Sequence, residues 1–241
     1  MIIAAISDWE QLGADPEHFL EMIKKTKKPD LFLLAGDIYE YRSPEIYGLI
    51  IDFLKLAGWE CPIVAIFGNR EFDEDKDEIR KVCKKRITFL EEQSIELKIK
   101  NKSIGIVGSE GSLDIPTWWQ YKNIPGIKKG YEERREKVRG LLKNLKSDIK
   151  ILLTHYAPTY KTLKGEDNRI YGGLGSKKYE EVLLGTKTTF AVHGHAEYGI
   201  PFAFVGSIPV FNVAFNANRK IVEIDPDNLP KSKEGLARFT R

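Results

Sequence analysis

Two cysteines, Cys61 and Cys83, are all that the 241 residues contain, too few for a disulfide framework. A reducing cytoplasm is therefore the expected setting. No run approaches the roughly 20 apolar residues that a membrane-crossing helix needs. The apolar start, Met1 to Ser7, lacks a basic leader, is too short for a secretory core and runs straight into Asp8. Neither secretion nor a membrane partner is expected. Charge of one sign is also missing: 38 basic residues face 35 acidic ones, for a net charge of +3. With no continuous basic stripe, a nucleic-acid partner is less expected than a small molecule. Repeats and low-complexity segments are absent. Histidine is scarce, only four in all, which makes the places where it falls informative.

The first half alternates short apolar runs with amphipathic stretches, the signature of βαβ units around a buried, largely parallel sheet. Ile2 to Ile6, Leu31 to Ala35 and Ile63 to Phe67 read as strands covered on both faces. Asp15 followed by Pro16 marks one helix start, and Ser43 with Pro44 marks another before Ile46 to Leu56. Ile95 to Val107 reads as a hairpin around Lys100-Asn101-Lys102 that begins a second sheet. Tyr131 to Lys146 reads as a charged helix with Val138, Leu141, Leu142 and Leu145 as its inner stripe. Ile149 to Leu153 and Thr188 to Val192 resume the buried-strand pattern, and Phe202 to Val205, Val210 to Phe215 and Lys220 to Ile224 follow as β segments. One domain over 1–226 with a polar, basic tail over 227–241 is the expected organisation.

The strand ends carry the chemistry. Ser7-Asp8, Gly36-Asp37 and Gly68-Asn69 close the first three strands, Thr154-His155 and His193-Gly194-His195 close two later ones. In open α/β sheets ligands gather at the carboxyl ends of strands. Packing gives no reason for carboxylates, an amide and imidazoles to recur there, so metal binding is the favoured reading.

In order along the chain these residues form Asp8-x-Glu10, Gly36-Asp37, Gly68-Asn69-Arg70-Glu71, His155 and Gly194-His195-Ala196-Glu197. The series resembles the calcineurin-like metallophosphoesterase family, whose pattern is D-x-H, G-D, G-N-H-[DE], H and G-H-x-H. What the resemblance implies is a four-layer α/β/β/α sandwich, two mixed sheets flanked by helices, with two divalent metal ions at the strand ends. It implies Asp37 as the bridging ligand, Asn69, His155 and His195 on the second metal, and Asp8 with positions 10 and 197 on the first. The implied reaction is hydrolysis of a phosphomonoester or phosphodiester by a metal-activated water.

Three positions depart from the pattern. Glu10 and Glu197 stand where the family has histidine on the first metal, and both can ligate through oxygen. A carboxylate-rich site favours Mn²⁺ or Mg²⁺ over Zn²⁺. Four carboxylates, Asp8, Glu10, Asp37 and Glu197, would repel a phosphate ester unless a cation were added, and Arg70 replaces the family's leaving-group histidine. Arg70 fits two pictures: a clamp on the substrate phosphate alongside Asn69, or a partner of Glu10 and Glu197 that occupies the first metal's place. The first keeps an enzyme. The second describes a non-catalytic relative that binds a metal, a nucleotide or a protein.

Three further features carry weaker signals. Trp118, Trp119 and Tyr121 lie in a loop-like segment between prolines, read as a packed lid or partner surface ahead of a base-stacking platform. The glycine-rich stretch Gly165 to Gly175, with Lys164 and Arg169, either borders the substrate or is a solvated loop. His193 reads as an orienting residue or a core histidine, and Asn212 follows a β run near the site. The sequence leaves the oligomeric state open.

Overall fold

A computed structural model of the chain describes residues 1–9, 15–38 and 43–232. Each apolar run becomes a strand because it has two layers to satisfy at once. The elements are, in order, β1 (Ile3–Ile6), α1 (Pro16–Lys25), β2 (Leu31–Ala35), α2 (Glu45–Leu56), β3 (Ile63–Ile66), α3 (Asp73–Cys83), β4 (Ile87–Phe89), β5 (Gln93–Ile99), β6 (Lys102–Ser109), α4 (Trp118–Asn123), α5 (Ile127–Asn144) and β7 (Ile149–Thr154). There follow α6 (Tyr171–Leu174), α7 (Tyr179–Gly185), β8 (Phe190–His193), β9 (Phe202–Val205), β10 (Ile208–Asn212), α8 (Phe215–Asn218) and β11 (Val222–Ile224).

They assemble as two mixed sheets, one ordered β11-β1-β2-β3-β4 and the other β5-β6-β7-β8-β10-β9. β1 to β4 are parallel, as are β6, β7, β8 and β10, and antiparallel strands close the edges at β11, β5 and β9. Strand alternation divides the side chains between layers. Ile3, Ala5, Leu31, Leu33, Val64 and Ile66 meet Ile104, Ile106, Ile151, Leu153 and Val192 between the sheets. The opposite residues, Ala4, Ile6, Phe32, Leu34 and Ala65, lie under Phe19, Ile23, Ile50 and Leu54 of the outer helices. On the far side Val107, Leu152, Ala191 and Val210 pack against Val138 and Leu142 of α5 and Val182 and Leu183 of α7. The result is the four-layer α/β/β/α sandwich. With fully buried Leu, Ile, Val or Phe side chains contributing about 1.5–3 kcal/mol each, the double-faced strands supply most of the drive for this layering.

Local signals explain some element ends. Asp15 Oδ1 accepts from the His18 amide at 3.1 Å and caps α1, with Pro16 in its first turn. α2 starts differently from the sequence reading: Pro44 is its first flanking residue and no side chain caps it. α5 begins at Ile127, ahead of Tyr131, because Ile127 packs against Leu113, Tyr131 and Tyr156, outside the stripe that runs through Val138. The aromatic segment expected as a loop is helical. Thr117 and Gln120 form a capping box, Gln120 N to Thr117 Oγ1 at 3.2 Å and Thr117 N to Gln120 Oε1 at 3.0 Å. The run from Val210 to Phe215 divides: β10 ends at Asn212, and Phe215 opens α8.

The first residues after 226 are tied to the fold. Leu229 packs on the inter-sheet core, and Asp227 pairs with Lys102 and with the Met1 amino group.

Candidate metal centre

The carboxyl ends of β1, β2, β3, β7 and β8 converge, held by hydrogen bonds both within one sheet and between the two. The His155 ring bonds through Nδ1 to the Ala35 carbonyl at 2.9 Å, and Gly194 N donates to the His155 carbonyl at 3.1 Å. His195 N donates to Asp8 Oδ2 at 2.9 Å. Backbone geometry at these ends is unusual. Asp8 has φ 55°, Asp37 φ 49° and His195 φ 66°, left-handed values that L residues adopt at a cost of roughly 1–2 kcal/mol each. Such a cluster of strained positions is characteristic of functional sites.

Two glycines permit the approach. Gly36, at φ 83°, has no room for a Cβ, which would lie 2.6 Å from Gly68 N and 2.9 Å from His155 Nδ1. A Cβ on Gly194 would lie 2.6 Å from Asp8 Oδ2.

Ligand atoms of Asp8, Asp37, His155 and His195 all fall within 4.8 Å of one another. Asn69 Oδ1 lies 3.0 Å from His155 Nε2, and Asp37 Oδ2 lies 3.3 Å from the same nitrogen. Asp8, Asp37 and His155 are buried while Asn69 is exposed, so the cluster opens to solvent on the Asn69 side.

The donor set, two carboxylates and two imidazoles with an amide oxygen beside them, fits a divalent ion. Both His155 nitrogens face oxygen acceptors, Nδ1 the Ala35 carbonyl and Nε2 the Asn69 and Asp37 oxygens, an arrangement that suits the doubly protonated ring. Burial works against that charge, yet the Asp37 carboxylate outweighs it and carries the His155 pKa up to about 10. Burial would also lift Asp37, but His155 holds its carboxyl below the ordinary value. Burial, opposed by His155, raises Asp8 to about 7. Burial pushes His195 down to about 3, leaving a neutral imidazole. A divalent ion at His155 Nε2 would have to displace the proton that Asp37 favours on that ring.

Glu197, also expected at the site, is not part of this four-residue group. It is half-buried and its carboxylate accepts from the Asn216 amide. Glu10 lies outside the described residues. Arg70 sits against the bridging position: its backbone N donates to Asp37 Oδ1 at 2.8 Å, and its Nε lies 3.8 Å from Asp37 Oδ2. His193 turns away, to the Gly194 carbonyl at 2.7 Å and Thr162 Oγ1 at 2.9 Å, and burial lowers it to about 4. Asn212 is buried and splices the loop after β8, donating to the Ala196 carbonyl at 2.7 Å and accepting from Ala214 N at 3.2 Å. The glycine-rich stretch comes near the centre at Gly173, whose backbone favours the charged form of the His195 ring. Arg169 is held bidentately by Asp167 on the surface.

The sequence reading passed over Glu71. Its buried carboxylate accepts from Asp37 N at 2.9 Å, Gly68 N at 2.7 Å, Ile38 N at 2.9 Å and Tyr47 Oη at 2.8 Å. Burial pushes its pKa up, and these donors pull the other way. Glu71 thus fixes the two turns that carry Asp37 and Asn69. The signal was present, since the G-N-H-[DE] pattern ends in an acid at this place. Tyr156 was also missed: its ring lies 5.0 Å from that of His195, and its hydroxyl meets Gln120 of α4 at 3.5 Å.

Over 55 residues the chain is 42% identical to a protein of Synechococcus sp. named as a probable cyclic nucleotide phosphodiesterase; the match covers 23% of this chain and 21% of that protein. The chain thus spans about a fifth of the length of the curated relative it matches. The phosphopantetheinyl hydrolase of Mycobacterium tuberculosis shares the fold at a TM-score of 0.66 and 16% identity, covering 95% of this chain and 98% of the other. The NAD nucleotidase of Haemophilus influenzae does so at 0.52 and 15%, covering 90% of this chain and 45% of the other. The family model for Calcineurin-like phosphoesterase matches residues 1–196, and the chain belongs to that family.

Proposed function

We propose that the chain is a metal-dependent hydrolase of small phosphomonoesters or phosphodiesters and that the strand-end cluster is its active site. The observation that carries this reading is the meeting of Asp8, Asp37, His155 and His195 within 4.8 Å, at the open ends of two sheets. Asp37, Asn69, His155, His195 and Asp8 would hold divalent ions, with Glu10 and Glu197 completing the first position. Oxygen ligands in that majority favour Mn²⁺ or Mg²⁺. Bound there, divalent ions lower the pKa of water and neutralise phosphoryl charge.

The protein's own groups do the rest. The Ala35 carbonyl fixes the His155 ring so that Nε2 points into the cluster, and Glu71 holds the Asp37 turn from behind. The Arg70 guanidinium, beside Asp37 and 44% exposed, is placed to bind phosphoryl oxygens as they approach. Arginine is a poor proton donor, so solvent protonates the leaving group, and esters with acidic leaving groups react best.

The Arg70 position also supports a second reading. A guanidinium 3.8 Å from Asp37 Oδ2 already brings a cation to the bridging carboxylate, as expected if one metal site is replaced and the protein binds one ion. Elemental analysis after Mn²⁺ loading, with turnover of p-nitrophenyl phosphate and bis(p-nitrophenyl) phosphate, separates the two. Two ions with turnover that Asp37→Asn abolishes support the dinuclear enzyme; one ion without turnover establishes the binding protein. Turnover that survives Asp37→Asn would sink the assignment of the site.

Residues 1–226 are read as the catalytic domain, with 227–241 as an appended tail. Cys61 and Cys83 are both free thiols, which suits a reducing cytoplasm. Among the described residues no helix is long and apolar enough to cross a membrane.

A further inference from the structure

Five of the eleven large hydrophobic residues exposed among the described residues fall in one stretch: Ile115 at 62% exposure, Trp118 at 74%, Trp119 at 61%, Tyr121 at 68% and Ile124 at 38%. Such a concentration marks an interaction surface, since exposed apolar residues are ordinarily scattered. The helix that carries it, α4, is fastened by its other side. Gln120 completes the capping box and reaches Tyr156 Oη at 3.5 Å, so the three aromatic rings are turned away from the protein body.

The charge of the stretch is one-sided. From 115 to 131 it holds Lys122, Lys128 and Lys129 and no aspartate or glutamate. The acid just before it, Asp114, is turned inward to Ser176 Oγ at 2.7 Å, Tyr160 Oη at 2.8 Å and Lys177 N at 3.1 Å. Lys122 Nζ lies 4.9 Å from the centre of the Trp118 ring, and Lys128 Nζ lies 5.7 Å from that of Tyr121. Lys129 pairs with Glu133 at 3.5 Å on the exposed side of α5.

We propose that α4 and its flanks are a docking element for an anionic lipid surface. Tryptophan and tyrosine have an apolar body and a polar edge suited to the headgroup boundary. Lysine lets its apolar stem lie beside them while its ammonium meets lipid phosphates. Lys122 and Lys128 decide against a protein partner, because they lie over the Trp118 and Tyr121 rings and lysine is depleted at protein interfaces. The expectation of no membrane partner came from the absence of a spanning segment, a criterion that does not bear on a helix lying on the surface. Through Gln120 and Tyr156 the docked face stands one side-chain layer from His195.

The experiment is co-sedimentation of the full chain with phosphatidylcholine vesicles, with and without about 30% phosphatidylserine at low and physiological salt. The expected result is binding to the anionic vesicles that weakens with salt. Lys122→Glu with Lys128→Glu removes two surface lysines, at roughly fivefold in partition each, and lowers it about thirtyfold or more. Trp118→Ala with Trp119→Ala lowers it at least tenfold and leaves Mn²⁺ affinity and thermal stability unchanged. Partition equal to wild type in both variants overturns the proposal, as does absence of binding to anionic vesicles at low salt. Self-association or a protein complex lost in the tryptophan variant without any vesicle binding overturns it in favour of a protein interface.

Discussion

Replacing Glu71 by glutamine changes little in shape and much in hydrogen bonding. The carboxylate takes Asp37 N and Gly68 N on one oxygen, Ile38 N and Tyr47 Oη on the other. Glutamine keeps one accepting oxygen, and its amide hydrogens then face the second pair of donors. The Tyr47 hydroxyl can rotate and accept instead, but a backbone N–H cannot. One buried amide is left without an acceptor, at about 1–3 kcal/mol, and the remaining bonds lose their charge assistance, at roughly 0.5–1.5 kcal/mol each. Relief from burying a charge offsets part of this. The expected loss is about 2–4 kcal/mol, a large part of the 5–15 kcal/mol typical of a whole domain. Asp37 at φ 49° and the Asn69 turn are then held less firmly, and Mn²⁺ affinity falls at least tenfold. Urea unfolding measures the first effect and titration calorimetry the second. A Glu71→Gln protein within about 0.5 kcal/mol of wild type, with unchanged Mn²⁺ affinity, would refute the role given to this carboxylate.

Tyr47→Phe removes a single donor from the same carboxylate and lowers stability by about 1–2 kcal/mol in the same urea assay. Metal affinity rises with pH, because the metal-free centre carries a proton on His155 whose pKa is about 10 and a ligand nitrogen must be free of it. Between about pH 8 and pH 10 the apparent dissociation constant falls about tenfold per unit, and calorimetry in buffers of different ionisation heat detects about one proton released per ion; no release at pH 8 contradicts the assignment. Gly194→Ala brings a methyl group to 2.6 Å from Asp8 Oδ2, and a loss of roughly 1–3 kcal/mol with weakened ion binding is expected in thermal unfolding and metal titration. Ile151→Ala, in the fully buried layer between the sheets, costs about 2–5 kcal/mol and leaves metal stoichiometry at wild-type values.

The readable parts of the sequence were those where one short segment contains its own explanation. The buried strands and the Asp15-Pro16 helix start are local patterns, and so is the recurrence of Asp8, Asp37, Asn69, His155 and His195 at strand ends. The α4 capping box was equally local, yet the flanking prolines and aromatic run suggested a loop. Glu71 was visible only as the last letter of a pattern, because three of its four donors, Asp37 N, Ile38 N and Tyr47 Oη, come from two other parts of the chain. Glu197 could be read as a potential ligand but not as the partner of Asn216, which approaches from α8. The outward turn of Trp118, Trp119 and Tyr121 depended on Gln120 finding Tyr156 across 36 residues.

By itself, then, the sequence determined the alternation of buried strands and helices, the start of a second sheet and the set of groups able to bind a metal, since strand periodicity and residue chemistry are properties of short segments; the four-layer arrangement came from the family resemblance. The tertiary structure decided which of those groups meet: the convergence of two sheets places Asp8, Asp37, His155 and His195 together and sets Glu197 beside Asn216. It also decided how they titrate, because burial, which works against charge on His155, and the proximity of Asp37, which outweighs it and raises the His155 pKa, are both long-range facts.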